Sequence, residues 1–346
     1  MTIARREFIK NAGTLAAGCM LLPYTRGGEE NQGKVLPELL IDSSGKPIVT
    51  IHEWEEKRKQ IKSTWEAYLG VMEPVAKAPV VRILNEENTG DLIRQLIEYE
   101  NEPGIFVKAY LLKPAGINTL LPGVVALHST SDNKMLYIAG VEKGENAALG
   151  YNLALRGFVV ICPMCFLWHD RGERSYEEQA QRFIAGHPGS KGMAKMLFDA
   201  MRAVDVLDNI CQVDRARIGA VGHSLGGKEA FYLGAFDDRV KVIVSNEGGI
   251  GIDFSNWDDT WYLGKEIHNF GHEHHELLAL CAPKPFLLIG GDFADGSRSI
   301  PYIDAVKPVY KLYGKTENLA IFNHGSGHNV TPEAEKHTYD WIMEHL

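Results

Sequence analysis

Residues 217–236 read RIGAVGHSLGGKEAFYLGAF, in which Gly222-His223-Ser224-Leu225-Gly226 joins the run RIGAV to the run GGKEAFYLGAF. The first run predicts a strand and the second a helix. A G-x-S-x-G in that setting is the signature of a sharp strand-to-helix turn that lifts a serine hydroxyl above a sheet. The glycines are required because so tight a turn leaves no room for Cβ atoms, and its central residue usually sits in strained backbone geometry. At the start of the helix, free amides and the positive dipole end favour a developing oxyanion, so the Leu225 N–H is the expected first donor.

On either side of this turn, short β-rich runs alternate with longer helical patterns. IFVKAYLLKP (105–114), GVVALHS (123–129) and GFVVICP (157–163) precede it, while VKVIVSN, PFLLIGG and NLAIFNH follow it. Several are continuous enough to be buried on both faces, as strands of a parallel sheet are. In GMAKMLFDAMRAVDVLDNI, Met193, Met196, Leu197, Met201, Val204 and Leu207 fall at helical spacing and read as core. Trp54, Ile61, Trp65 and Leu69 lie on one face of an amphipathic lead-in helix that Gly70 ends, and a last helix runs from about Thr331 to the end of the chain. The fold class expected is α/β, a mostly parallel central sheet flanked by helices, forming a single catalytic domain over 51–346.

Bulk composition agrees. The chain has 346 residues, 45% hydrophobic and 23% charged, and can bury roughly three quarters of its unfolded surface. A net charge of -9 with no clustered basic stripe argues against a nucleic-acid partner. Residues 1–25 are set apart by a basic start, ARREFIK, and a short apolar stretch, NAGTLAAGCMLL. That is the pattern of an export signal, and Arg5 and Arg6 followed by Phe8, Ile9 and Lys10 resemble its twin-arginine type. The expected destination is periplasmic or extracellular, with no transmembrane span; LAAGC at 15–19 leaves a lipid anchor open. Residues 26–50 read as a loosely held N-terminal arm.

A serine needs a base to take its proton and a carboxylate to orient that base, in the chain order serine, acid, histidine for this kind of turn. AIFNHGSGHNVTPE offers His324 and His328. His328 is preferred because the glycines before it allow a loop to reach Ser224, whereas His324 abuts the strand end. For the acid, the loop DFADGSRS after the strand FLLIGG holds Asp292 and Asp295. Asp295 ranks first because the following Gly296 makes a turn that carries the carboxylate clear of the strand. Glu247, at the end of the preceding strand, ranks second, and Asp292 last because it can bond its local backbone. A second oxyanion donor is expected from the backbone of GVVALHSTSDNK, at Thr130 or the adjoining Ser129.

The segments LHST, ALRGFVVICP, GHSLGGKEA, HHELLALCAPKPFLLIGG and HGSGH carry a resemblance to the α/β-hydrolases of the dienelactone-hydrolase and acetyl-xylan-esterase-like group, from about residue 52 to the end. HELLALCAPKP also resembles glucuronoyl esterases, in which a lysine four residues after the elbow serine meets the sugar acid; Lys228 matches that lysine, and one variant of that family places its acid where Glu247 stands. This chain departs from both groups. Glucuronoyl esterases usually carry Cys and Arg beside the serine, where His223 and Leu225 stand here. Dienelactone hydrolases proper use a cysteine nucleophile, where this chain has Ser224. The resemblance implies a serine esterase that acts on a small-molecule or polysaccharide ester and needs no cofactor. A serine peptidase on the same fold and a non-catalytic carbohydrate-binding relative are the alternatives.

Other candidates are weighed beside these. Trp257, Trp261 and Tyr262 can either stack on a sugar ring or pack the insertion that contains them. His268, His272, His274 and His275 are closely spaced imidazoles, and Cys162, Cys165 and His169 offer three ligands, but a structural zinc site wants four, so no metal is expected.

Overall fold

The computed structural model describes residues 35–346 other than 71, 74, 76, 77, 132, 133, 145 and 146. The signal-like residues 1–25 therefore lie outside the described residues. The compact unit is Leu36–Leu346. Its strands, among the described residues, are β1 (Val81–Asn88), β2 (Leu92–Glu102), β3 (Ile105–Pro114), β4 (Leu121–Leu127), β5 (Val159–Pro163), β6 (Val213–His223), β7 (Val240–Asn246), β8 (Phe286–Gly290) and β9 (Leu319–Asn323). They form one sheet in the order β1-β2-β3-β5-β4-β6-β7-β8-β9. From β5 to β9 every neighbouring pair is parallel, and β1, β2 and β3 add an antiparallel ribbon at one side.

The helices are α1 (Ile51–Leu69), α2 (Met135–Ile138), α3 (Leu149–Ala154), α4 (Tyr176–Gly186), α5 (Gly192–Asp208), α6 (Leu225–Phe236), α7 (His275–Cys281), α8 (Ile300–Leu312) and α9 (Pro332–His345). Side chains alternate across a strand, so a sheet buried on both faces must feed two cores. On β4, Val125 and Leu127 join one core while Val124 and Ala126 join the other, and on β8 Phe286 and Leu288 oppose Leu287 and Ile289 in the same way. The first core is closed by α1, α5, α6, α7 and α8, through residues such as Trp65, Met193, Tyr232, Leu278 and Tyr310. The second is closed by α2, α3 and α9, through Tyr137, Leu153 and Ile342.

Local chemistry explains the ends of these elements. Thr50 and Glu53 form a reciprocal capping box at the start of α1, and Gly70 closes it with φ 65° in the left-handed region. Trp54, Ile61, Trp65 and Leu69 are the buried face of α1. One expectation is corrected, and two strands are added to those the sequence suggested. Residues 36–50 are not loosely held: Leu39 and Ile48 are buried in the first core, and Ile41 bridges to Pro47. The strands β1 and β2 were not foreseen, because β1 is exposed along nearly its whole length and both are rich in charged residues. No helix among the described residues is long and apolar enough to cross a membrane.

Candidate active site

Ser224 stands between β6 and α6 with φ 58° and ψ −117°, a conformation non-glycine residues rarely adopt. The crowding around it explains the flanking glycines: a Cβ on Gly222 would fall 2.1 Å from the Gly226 carbonyl oxygen, and one on Gly226 would fall 2.1 Å from the Leu127 carbonyl oxygen. The Ser224 side chain does not cap α6. Its Oγ lies 2.8 Å from His328 Nε2 instead. The Ser224 amide is tied to the Asn246 carbonyl at 2.8 Å, which locks the turn to the end of β7.

His328 hangs from the loop after β9. That loop is held against the one after β8, where the Gly327 amide donates to the Gly291 carbonyl at 2.7 Å. The other imidazole nitrogen, Nδ1, lies 3.0 Å from Glu247 Oε2. Because a carboxylate only accepts, Nδ1 carries the proton and Nε2 is free to accept the serine proton. His223 packs beneath this ring and Phe293 beside it, each with ring centroid 4.8 Å from His328. Burial pushes the His223 imidazole down to about 3, so it is a neutral backing and not a second base.

The position against His328 is taken by Glu247 and not by Asp295, which ranked first. Glu247 directly follows β7 with φ 51°, and its fully buried carboxylate accepts from the amides of Gly291, Ala294 (2.6 Å) and Asp295 (3.3 Å) as well as from His328. Asp295, also buried, reaches the opposite way: its carboxylate accepts from the amides of Gly249 (2.6 Å) and Ile250 (2.7 Å) and from Ser299 Oγ (2.9 Å). The loops after β7 and β8 thus exchange carboxylates, each neutralising the other's turn of free amides. The Gly296 turn swings Asp295 inward to the β7 loop rather than outward to the histidine. Burial raises the Asp295 pKa above the usual range, with the charge on Glu247 adding to it and the two amides opposing. Asp292 spends its carboxylate locally on the Ser297 amide and Asn323, both at 2.8 Å. His324 Nδ1 accepts from the Ser326 amide at 3.1 Å and does not reach Ser224.

Leu225 is the first residue of α6, where the amides have no intrahelical acceptor. Of the two candidates for the second donor, the Ser129 amide is taken by the Tyr137 hydroxyl at 2.8 Å, while Thr130 is exposed.

Lys228 and Trp257 are not placed as surface contacts for a substrate. Lys228 is buried, with Nζ bonded to the Gly248 carbonyl and to Ser255 Oγ (2.8 Å) and lying 4.4 Å from the centre of the Trp257 ring. Burial pushes its ammonium down to about 7. Trp257 is wholly buried, its indole N–H on the Gly249 carbonyl at 2.7 Å. Helix α6 is buried along its whole length, so the residue one turn after the serine points into packed protein.

The four imidazoles of the histidine-rich stretch take separate partners: His268 is near Asp253 and Asp258, His272 bonds Glu276, His274 meets the Tyr232 hydroxyl and His275 the Pro37 carbonyl. Cys162 and Cys165 belong to cores on opposite faces of the sheet. Among the described residues no group of three or more histidine, cysteine or acidic residues could hold a metal.

Comparison with known proteins agrees with this architecture. The model of the dienelactone hydrolase family matches residues 107–258. The chain is similar to the carbohydrate esterase MZ0003 from an unknown prokaryotic organism, with 22% identity over 81% of this chain and 78% of that one. It is also similar to a 4-O-methyl-glucuronoyl methylesterase of Phanerochaete carnosa, with 23% identity over 84% of this chain and 75% of that one. Its fold resembles a glucuronoyl esterase from Solibacter usitatus, with TM-score 0.72 and 18% identity over 91% of this chain and 98% of that one.

Proposed function

We propose that this chain, which has an α/β-hydrolase fold and matches the dienelactone hydrolase family model over residues 107–258, is an exported serine esterase that removes acyl or methyl groups from carbohydrate, with Ser224, His328 and Glu247 as its triad. The observation that carries this reading is the unbroken relay of 2.8 Å from Ser224 Oγ to His328 Nε2 and 3.0 Å from His328 Nδ1 to Glu247, built on a strained serine. As Oγ attacks the ester carbonyl, its proton passes to Nε2. The imidazolium that forms faces the Glu247 carboxylate, and the oxyanion is met by the Leu225 and Thr130 amides. Collapse expels the alcohol, which takes the proton back from Nε2. Water then repeats the sequence on the acyl-enzyme and releases the acid.

The carbohydrate part of the proposal is supported by relatives named as carbohydrate and glucuronoyl esterases, and export by the basic and apolar start of the chain. The test is direct. A fluorophosphonate probe should label Ser224, and Ser224→Ala should abolish hydrolysis of a p-nitrophenyl ester; full activity in that variant would overturn the mechanism. A panel of acetylated, methyl-esterified and feruloylated polysaccharides then identifies the ester.

A further inference from the structure

Resting on the esterase reading above, we infer that His128 and Tyr137 are positioning residues that fix the direction of the Thr130 amide N–H, the second donor to the oxyanion. His128 is buried at the end of β4. Its Nε2 lies 3.1 Å from the Cys165 amide, which can only donate. Nε2 is therefore the nitrogen with the lone pair, and the proton sits on Nδ1, 2.8 Å from the Ser129 carbonyl oxygen. Burial keeps the ring neutral by pushing its pKa down to about 4.

The consequence follows from peptide geometry. The Ser129 carbonyl and the Thr130 N–H belong to one planar trans unit, in which C=O and N–H point in opposite directions. Holding the carbonyl on His128 therefore aims the next amide away from His128. The other end of Ser129 is held as well, because its amide and its Oγ each lie 2.8 Å from the Tyr137 hydroxyl. Tyr137 is itself buried, on α2. Among the described residues, the Thr130 amide has no acceptor of its own.

A third contact ties this segment to the serine. The backbone at Leu127 and His128 lies against Gly226, where a Cβ would fall 2.1 Å from the Leu127 carbonyl oxygen and 3.0 Å from that of His128. The first turn of α6 supplies the Leu225 amide, so both oxyanion donors belong to one rigid assembly whose pins are His128, Tyr137 and Gly226. Neither side chain touches the triad contacts described above, so each acts through the Thr130 backbone.

The experiment uses the full chain with a p-nitrophenyl ester and with a trifluoromethyl ketone, whose hemiketal oxygen occupies the oxyanion position. For Tyr137→Phe and His128→Ala the expected result is a fall in kcat of about 10- to 100-fold with little change in KM, and a parallel loss of ketone affinity. His128→Asn, whose side-chain N–H can still reach the Ser129 carbonyl, should recover much of that loss, whereas His128→Leu should not. If His128→Ala fails to fold, Tyr137→Phe decides the matter alone. Unchanged ketone affinity, or equal changes in KM and ketone affinity, would overturn the inference. Loss of all activity in Ser224→Ala beside unaffected Tyr137→Phe and His128→Ala would overturn it while leaving the esterase reading standing, whereas full activity in Ser224→Ala would remove that reading first.

Discussion

Two buried carboxylates, Glu247 and Asp295, lie at the ends of neighbouring strands, and only one of them reaches His328. Replacing each by its amide separates their roles. An imidazolium and a carboxylate 3.0 Å apart attract by on the order of 5 kcal/mol at an effective dielectric constant of about 20. At about 1.4 kcal/mol per tenfold, this sets a ceiling near four decades on the rate that the Glu247 charge can supply. The His328 side chain is 25% exposed, so water screens part of that attraction, and Glu247→Gln should lower kcat/KM by about 10²- to 10³-fold. Asp295→Asn leaves the relay intact but turns an N–H of its own toward the Gly249 or Ile250 amide. Such a mismatch destabilises by about 1–3 kcal/mol and should lower kcat/KM less than tenfold. Steady-state hydrolysis of p-nitrophenyl acetate, with thermal melts of both variants, measures the two effects separately. The reasoning is refuted if Asp295→Asn loses as much activity as Glu247→Gln, or if Glu247→Gln stays within tenfold of the parent.

Three other outcomes are expected. The Lys228 ammonium is pushed down to about 7 in the folded protein from an ordinary 10.5. The unfolded chain therefore binds more protons across that window, and this group's contribution to stability rises with pH from about 7 to about 10.5; thermal melts across the interval should show an upward component that Lys228→Met lacks. Gly226→Ala puts a methyl group 2.1 Å from the Leu127 carbonyl oxygen, so it should cost about 1–3 kcal/mol of stability and depress kcat more than KM, as read from melts and steady-state rates. Of the four described cysteines only Cys211 is exposed, so in a Cys19→Ser background a thiol reagent should modify it first, Cys211→Ser should remove the fast phase, and Cys162, Cys165 and Cys281 should react only on unfolding.

How much of this could be read from residues alone depends on which force set each feature. The strands of the parallel region were legible because burial on both faces demands continuous apolar runs: VKVIVSN is β7 to the residue, and PFLLIGG contains β8. The ribbon of β1 and β2 was not, since exposed pairing is written in backbone hydrogen bonds and cross-strand ion pairs such as Arg82 with Glu98, not in hydrophobic periodicity. Leu39 and Ile48 lie in a stretch without periodicity, so their burial rests on tertiary packing. Ser224 and His328, which the structure sets 2.8 Å apart, stood out as candidates because each has a local signature, a glycine-flanked turn and a glycine-rich loop. The acid lacked one. Asn246 on β7 is paired with Ile289 on β8, so Glu247 and Asp295 start from adjacent strand ends, and which one faces the histidine is decided by loop contacts, the amides of the β8 loop on Glu247 and those of Gly249 and Ile250 on Asp295. The positioning role of His128 depends on contacts with Cys165 and Ser129, and LHST quotes the residue without showing either.

The order of the strands bears on how the protein would fail. Ser224 and Glu247 follow the inner strands β6 and β7, but His328 follows β9, the terminal strand of the sheet, where most side chains are only partly buried. Opening of that margin needs far less free energy than dismantling the centre. On the proposed mechanism His328 can therefore be withdrawn while Ser224 and Glu247 stay in register, so mild denaturant should silence turnover before the far-ultraviolet circular dichroism signal falls. If the proposed triad is right, the lifetime of catalysis follows the outermost strand and not the global stability of the domain.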